Sequence, residues 1–465
     1  MIKKIFFTIL FLLISYLALN YIKDKDISNL IKNHLNQNQK YFLKKHLFPF
    51  QVIAQHEKNL VSERTKIKQL EVLFYEVASK IDFAKEEYNF KISLNDIKLE
   101  EKPFLELQNN LILKRYKIKN GFYSGISNLY PGSGYIDFNL DNMLLLSSKG
   151  ILSYSDNELN KQYFTQIKNN IDDFINLKQF SNKRSNISNR FSIKDLLIKD
   201  DKIYISYTEE IEKDCWNTSI IYSDMNYDEI IFKNFFRSQC INSINNPDNE
   251  FEAHQSGGRM FSFDNNHILF GTGEYRSRYL AQEKTSINGK VLKINIDDKN
   301  YEIISMGHRN PQGLYFDTKN NFIIETEHGP KGGDEINIIE MTGNKKIPNY
   351  GWPISSAGVH YVDTNERKQK YPLYNSHAKH GFIEPTKVFV PSIGISEVTK
   401  LSNERYVVSS LRDKSLYFFN INENKKIINL QRVEVFDRIR DLFFKNGKLY
   451  LFLETTSSIG IISNI

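Results

Sequence analysis

Cysteine is nearly absent from this chain. Two residues in 465, Cys215 and Cys240, exclude a disulfide-dense scaffold and a four-cysteine zinc site. They leave open either one disulfide in an oxidising compartment or a pair of buried thiols. Tryptophan is as scarce, with 2 residues, so the 13% aromatic content comes from Tyr and Phe, which favour strands. An excess of one charge is also missing from most of the chain. Residues 1–90 hold 14 Lys+Arg against 9 Asp+Glu, while the other 375 hold 48 against 46, so most of the net +7 sits at the N-terminal end. A body this close to neutral argues against nucleic acid as a partner. No glycine-rich phosphate loop follows a strand and opens a helix, so a nicotinamide nucleotide is not implied.

What is present begins with Lys3 and Lys4, followed by an apolar run from Ile5 to Leu19. A positive start before such a run reads as an export segment over residues 1–22. Without a clean small-x-small cleavage site, an uncleaved membrane anchor is expected, with a cleaved signal as the alternative. Either places the body outside the cytoplasm, in the periplasm or beyond. Ile53, Leu60, Ile67, Phe74 and Ile81 then recur every seven residues. They predict an amphipathic helix within a helical arm and linker spanning 23–110.

From about residue 110 the apolar period changes to two. A strand, a polar Asp/Asn/Gly turn and a second strand recur from Phe138, Leu196, Phe261, Leu314, Val398 and Leu442. Hairpins repeated at this spacing predict an all-β, six-bladed β-propeller over 111–465. The widest gap holds an insertion of roughly Ser355 to Pro385.

Four segments carry chemistry. They are His254-Gln-Ser-Gly-Gly-Arg259, Gly307-His-Arg-Asn-Pro-Gln-Gly313, Glu327-His-Gly-Pro-Lys-Gly-Gly-Asp-Glu-Ile-Asn337 and Asn349-Tyr-Gly-Trp-Pro353. Together they resemble the pyrroloquinoline quinone (PQQ)-dependent soluble glucose dehydrogenases and aldose sugar dehydrogenases, the glucose/sorbosone dehydrogenase family. The resemblance is strong over about 250–355 and weaker over 385–465. It implies a six-bladed propeller that uses PQQ and Ca²⁺, oxidises a sugar or alcohol hydroxyl by hydride transfer, and passes electrons to a respiratory acceptor.

Residue by residue, the resemblance makes His254 the general base, a role that imidazole suits near neutral pH. Arg309 matches the arginine over the quinone oxygens, where it stabilises developing negative charge. Asn310 matches the neighbouring donor. Gly329 and Pro330 match the residues whose carbonyls hold Ca²⁺, a hard cation that takes carbonyl oxygen. Asp334 and Glu335 are then loop-fixing carboxylates rather than ligands. Arg438 and Arg440, in Asp437-Arg-Ile-Arg-Asp441, match arginines on the cofactor carboxylates, and Arg412 replaces a family lysine. One departure is Val390 at an expected tryptophan position. Another is the early blade, where only Asn189 and Arg190 stand near an expected polar contact. Two other readings remain: a non-catalytic propeller binding a glycan or protein, and a lactonase-like metal hydrolase, which needs carboxylate ligands not evident here.

Overall fold

The computed structural model describes residues 83–122, 133–175 and 193–465, except 342, 344, 345, 363, 403 and 464, together with 62, 63 and 66. The export segment, most of the heptad stripe, and Asn189 and Arg190 lie outside the described residues. The chain divides into two compact units, Met1–Ile81 and Asp82–Ile465. In the first, Ser62, Glu63 and Lys66 are helical. Among the described residues no helix is long and apolar enough to cross a membrane.

Among the described residues the second unit holds six antiparallel blades of four main strands, the second with a short extra strand and the last and first joined into one nine-stranded sheet. Their first strands are Gly134–Asn139, Ile193–Lys199, Gly257–Asp264, Pro311–Asp317, Ile395–Lys400 and Ile439–Lys445. Each packs against the next, and the last packs against the first, so the sheets form a closed ring around a central channel. We call them blades 1 to 6. The six hairpins read from the sequence are the first and second strands of these blades, in order.

The second strands read as continuous apolar runs because both of their faces are buried. In blade 4, Phe322 and Ile324 point into the seam with blade 5, while Ile323 between them points into the seam with blade 3. Blade 6 splits likewise, with Tyr450 and Phe452 toward blade 1 and Leu449, Leu451 and Leu453 toward blade 5. The core is therefore a set of inter-blade seams, and the channel is left to polar groups.

The ring is closed by a strand from the other end of the chain. Ile112–Ile118 pairs antiparallel with Ser458–Ser463 as the outer strand of blade 6. Ile97–Glu106 pairs with Ile112–Ile118 and, through Ile97 and Lys98, with the outer strand of blade 1. This strand lies upstream of the expected propeller start at 111. Burial of Ile97 and Leu99 with Lys98 exposed between them gives the period of two. Helix α1 (Phe83–Ser93) precedes it and is tied to blade 1 by Lys91, whose Nζ lies 2.9 Å from Asp172 Oδ2.

Two long connections shape the end of the channel where the first strands begin. The loop from blade 2 to blade 3 is bonded to blade 2 through a disulfide between Cys215 and Cys240. The insertion carries helix α2 (Asn365–Lys370), capped by Thr364, whose Oγ1 accepts from Arg367 N at 3.2 Å. It is fastened to the same loop: Lys370 Nζ lies 2.6 Å from Asp248 Oδ1, and Tyr371 donates its hydroxyl to that oxygen at 2.7 Å.

Candidate active site

The first strands of the blades carry charged residues facing the channel. Arg259 on blade 3 is buried, and its Nη1 lies 2.7 Å from Asp195 on blade 2 and 2.8 Å from Asp441 on blade 6. Its Nε lies 2.5 Å from Glu397 on blade 5. The carboxylates also accept backbone N–H groups of neighbouring blades. Asp195 takes Met260 N, Asp441 takes Ile136 N at 2.8 Å, and Asp137 takes Ile198 N at 2.7 Å. One arginine and its carboxylates thus stitch the ring together and form the floor of the site. Burial pushes Asp195 up to about 7, against the pull of Arg259.

Above this floor lie two cavities of about 270 and 320 Å³ that share His254 and His328 in their walls. Arg438 and Arg440 line the first; Arg309, Asn310, Gly329 and Arg412 line the second. The fold therefore brings seven of the eight expected residues together from blades 3 to 6. Pro330 is buried beside them without lining either cavity, and packs where a side chain at Gly358 would have to go. Val390 lines neither cavity and is 67% exposed.

His254 sits in a single turn, Ala253–Gln255, immediately before blade 3. Its Nδ1 lies 3.4 Å from Glu252 Oε1. Arg309 begins blade 4 and is buried. Its Nη1 donates to His328 O at 2.8 Å, and the guanidinium stacks 5.4 Å from the Trp352 ring centroid. With the Gln255 amide oriented to satisfy both ends, its oxygen accepts from Arg309 Nη2 at 2.9 Å and its nitrogen donates to Glu274 Oε1 at 2.6 Å. Burial raises the Glu274 carboxyl to about 8, partly offset by Arg309. Asn310 Oδ1 accepts from Gly257 N at 3.0 Å, which locks blade 4 to the segment following His254.

On the opposite wall Arg438 and Arg440 share one buried carboxylate, Glu454, at 2.8 and 2.9 Å. Two guanidiniums thus converge on one carboxylate. Arg412 is exposed and its side chain has no hydrogen bond or ion pair with any described residue.

Asp334 fixes the loop beneath Gly329. It accepts Gly329 N at 3.2 Å, Gly394 N at 2.7 Å and Ile395 N at 3.0 Å. A Cβ at position 329 would stand 2.0 Å from Gly333 O, so only glycine fits this turn. Behind the loop is a buried acidic group. His308 Nδ1 lies 3.1 Å from Glu327 and 3.5 Å from Glu325, and Asn337 Nδ2 donates to both glutamates. Burial pushes Glu325 and Glu335 well above the usual carboxylate range.

Residues outside the sequence motifs also shape the cavities. Lys194 at the start of blade 2 lines the first, and burial with Arg440 nearby lowers its amine to about 7. Arg276 and Tyr361 line the second. Glu274 and Glu454 stand directly behind the arginines. Trp352 belongs to the Asn349–Pro353 motif, which was the signal available for it. The others are single polar residues at strand ends, where no local pattern marks them.

The sequence pattern of the glucose/sorbosone dehydrogenase family matches residues 193–461, more than half of the chain. The chain belongs to that family. Aldose sugar dehydrogenase YliI of Escherichia coli is 26% identical over 247 residues, covering 48% of this chain and 62% of that protein. Quinoprotein glucose dehydrogenase B of Acinetobacter calcoaceticus is 42% identical over 76 residues, 14% of this chain and 15% of that one. An uncharacterised Synechocystis protein is 30% identical over 36% of this chain and 42% of its own length. The chain therefore matches less than two thirds of the length of each of these relatives. Among solved structures, the apo E. coli aldose sugar dehydrogenase has a TM-score of 0.55 at 20% identity, covering 72% of this chain and 96% of its own. The PQQ-bound aldose sugar dehydrogenase of Streptomyces coelicolor has a TM-score of 0.52 at 17% identity, covering 75% and 97%. Both likenesses establish the fold.

Proposed function

We propose that this protein is an exported, PQQ-dependent dehydrogenase that oxidises a hydroxyl of a sugar or alcohol. One observation carries the reading: Arg309, Arg412, Arg438 and Arg440 converge with His254 at one end of the channel. PQQ is a flat tricarboxylate, so its pocket needs fixed cations and a planar wall. The residues here fit it. Arg309 already lies over the Trp352 ring, and Arg412 has no hydrogen bond or ion pair with a described residue. His328 Nε2, in the wall common to both cavities, is buried without a hydrogen-bond partner among the described residues, which suits a bound polar ligand.

PQQ, when bound, supplies the hydride acceptor. Arg309, backed by Glu274 through Gln255, holds a fixed positive charge where negative charge develops. With Nδ1 turned to Glu252, Nε2 of His254 is the ring nitrogen that would accept the substrate's hydroxyl proton. The Gly329 and Pro330 carbonyls, neither of which accepts a hydrogen bond from a described residue, would hold Ca²⁺. The respiratory acceptor, the periplasmic location and membrane attachment through residues 1–22 are part of the same proposal. The Cys215–Cys240 disulfide favours an oxidising compartment, and N-terminal sequencing of the exported protein tests the anchor.

The test is reconstitution. Purified chain is given PQQ and Ca²⁺, and dye reduction is followed with a panel of aldoses and alcohols. His254→Ala should lower turnover by about 10²- to 10⁴-fold with PQQ uptake retained. Absence of PQQ uptake, or full activity in both His254→Ala and Arg309→Ala, defeats the reading and leaves a propeller that only binds a glycan or protein.

A further inference from the structure

Arg276 and Arg278 follow Glu274 on the same loop of blade 3, and the fold treats them differently. Arg278 is buried, with Nη2 2.7 Å from Glu250 Oε2 and its guanidinium 5.7 Å from the Tyr371 ring centroid. Arg276 is half-buried and lines the second cavity beside Glu252, His254 and Arg309. Its side chain makes no hydrogen bond or ion pair with any described residue. Glu252 lies beside His254, and Glu274, bonded to Gln255, attracts Arg276 without forming an ion pair with it.

The backbone holds Arg276 there against its own preference. Tyr275 and Arg276 have φ of +53° and +66°, the left-handed region disfavoured for residues with a Cβ. Glu252 N donates to Tyr275 O at 2.9 Å and Tyr275 N donates to Gln255 O at 2.9 Å. The Tyr275 ring is fully buried, with its hydroxyl 2.7 Å from Thr218 Oγ1. These bonds tie the strained turn to the segment carrying His254, so Arg276 and His254 share one wall. Strain of this kind persists where surrounding structure over-determines it, as at ligand clamps. The cations assigned to the cofactor lie on other blades, Arg412 on blade 5 and Arg438 and Arg440 on blade 6.

We propose that Arg276 is a specificity-determining residue that takes an anionic substituent, a carboxylate or a phosphate, of the sugar whose hydroxyl meets His254. The assignment rests on the dehydrogenase reading of the site. A guanidinium suits it because its planar fork binds either oxyanion through two parallel N–H donors. A neutral sugar in the same place leaves the charge unmatched.

The experiment measures binding by calorimetry of glucose, glucuronate and glucose 6-phosphate to the full chain, with and without PQQ and Ca²⁺, beside Arg276→Gln and Arg276→Lys. Glucuronate or glucose 6-phosphate should bind the wild type roughly 10-fold or more tightly than glucose. The two acids distinguish a carboxylate site from a phosphate site. Arg276→Gln should erase the preference, and Arg276→Lys should keep part of it. Equal affinities in the wild type, or a preference that survives in Arg276→Gln, overturns the proposal. So does weaker PQQ uptake in Arg276→Gln, because the guanidinium then belongs to the cofactor. If the wild type takes up no PQQ, the dehydrogenase reading fails; an Arg276-dependent preference seen without PQQ still supports the anion site.

Discussion

The floor of the channel and its mouth both concentrate arginine, yet their charge balances are opposite. On the floor, one guanidinium, Arg259, faces three carboxylates, from Asp195, Glu397 and Asp441. At the mouth, Arg276, Arg309, Arg412, Arg438 and Arg440 face Glu252, Glu274 and Glu454, and three of these arginines, Arg276, Arg309 and Arg412, have no ion pair with a described residue. A charge buried for the fold is surrounded until its hydrogen bonds are full, because an uncompensated ion in a low dielectric is costly. A charge held for a ligand is left short of partners within the chain. The residue type is the same in both places, and what differs is whether the neighbours finish the pairing.

Breaking the floor should have the largest effect. Arg259→Leu leaves three buried carboxylates facing one another, and should cost about 3–5 kcal/mol or prevent folding, read by urea unfolding. An effect below 1 kcal/mol would show that the floor is not closed in the sense argued.

The mouth should respond in the opposite way. Arg412→Ala should weaken PQQ uptake by roughly 10-fold, the loss of one charge-assisted contact, while the unfolding free energy stays within about 0.5 kcal/mol. A stability loss comparable to that of Arg259→Leu would erase the distinction between the two regions.

The most specific effect concerns pH. Glu274 has its folded pKa raised to about 8 from 4.5, chiefly by burial. A raised carboxyl contributes stability that is fully present below its unfolded pKa and is lost as pH rises through the folded value. Wild type should therefore lose stability relative to Glu274→Gln between about pH 4.5 and 8, measured as the difference in melting temperature across that range. A difference that stays flat with pH would mean that Glu274 is ionised throughout, paired with Arg309.

The sequence revealed the inner half of every blade and much less of the outer half. Second strands such as Phe322–Glu327 are buried on both faces, so their apolar runs stand out between polar turns. The outer strand Ile427–Glu434 exposes five consecutive residues and carries no such signal. Ring closure by Ile112–Ile118 was invisible because its partner lies at the far end of the chain. At the site, residues inside compact motifs, such as Arg309 and Gly329, could be read in sequence. Glu274, Lys194 and Arg276 could not, since their meaning comes from which blade they face.

The closing strand also fixes an order of events. Ile112–Ile118 is among the first strands to be made, and its partner Ser458–Ser463 is the last. Until that last strand is available, Ile112–Ile118 has no partner in blade 6, and Ile459 and Ile461 are missing from the seam where Phe138 and Phe164 meet Tyr450 and Phe452. The ring is therefore shut by a contact of very long sequence separation, the slowest kind to form. Until that contact forms, the outer edge of blade 6 stays unpaired.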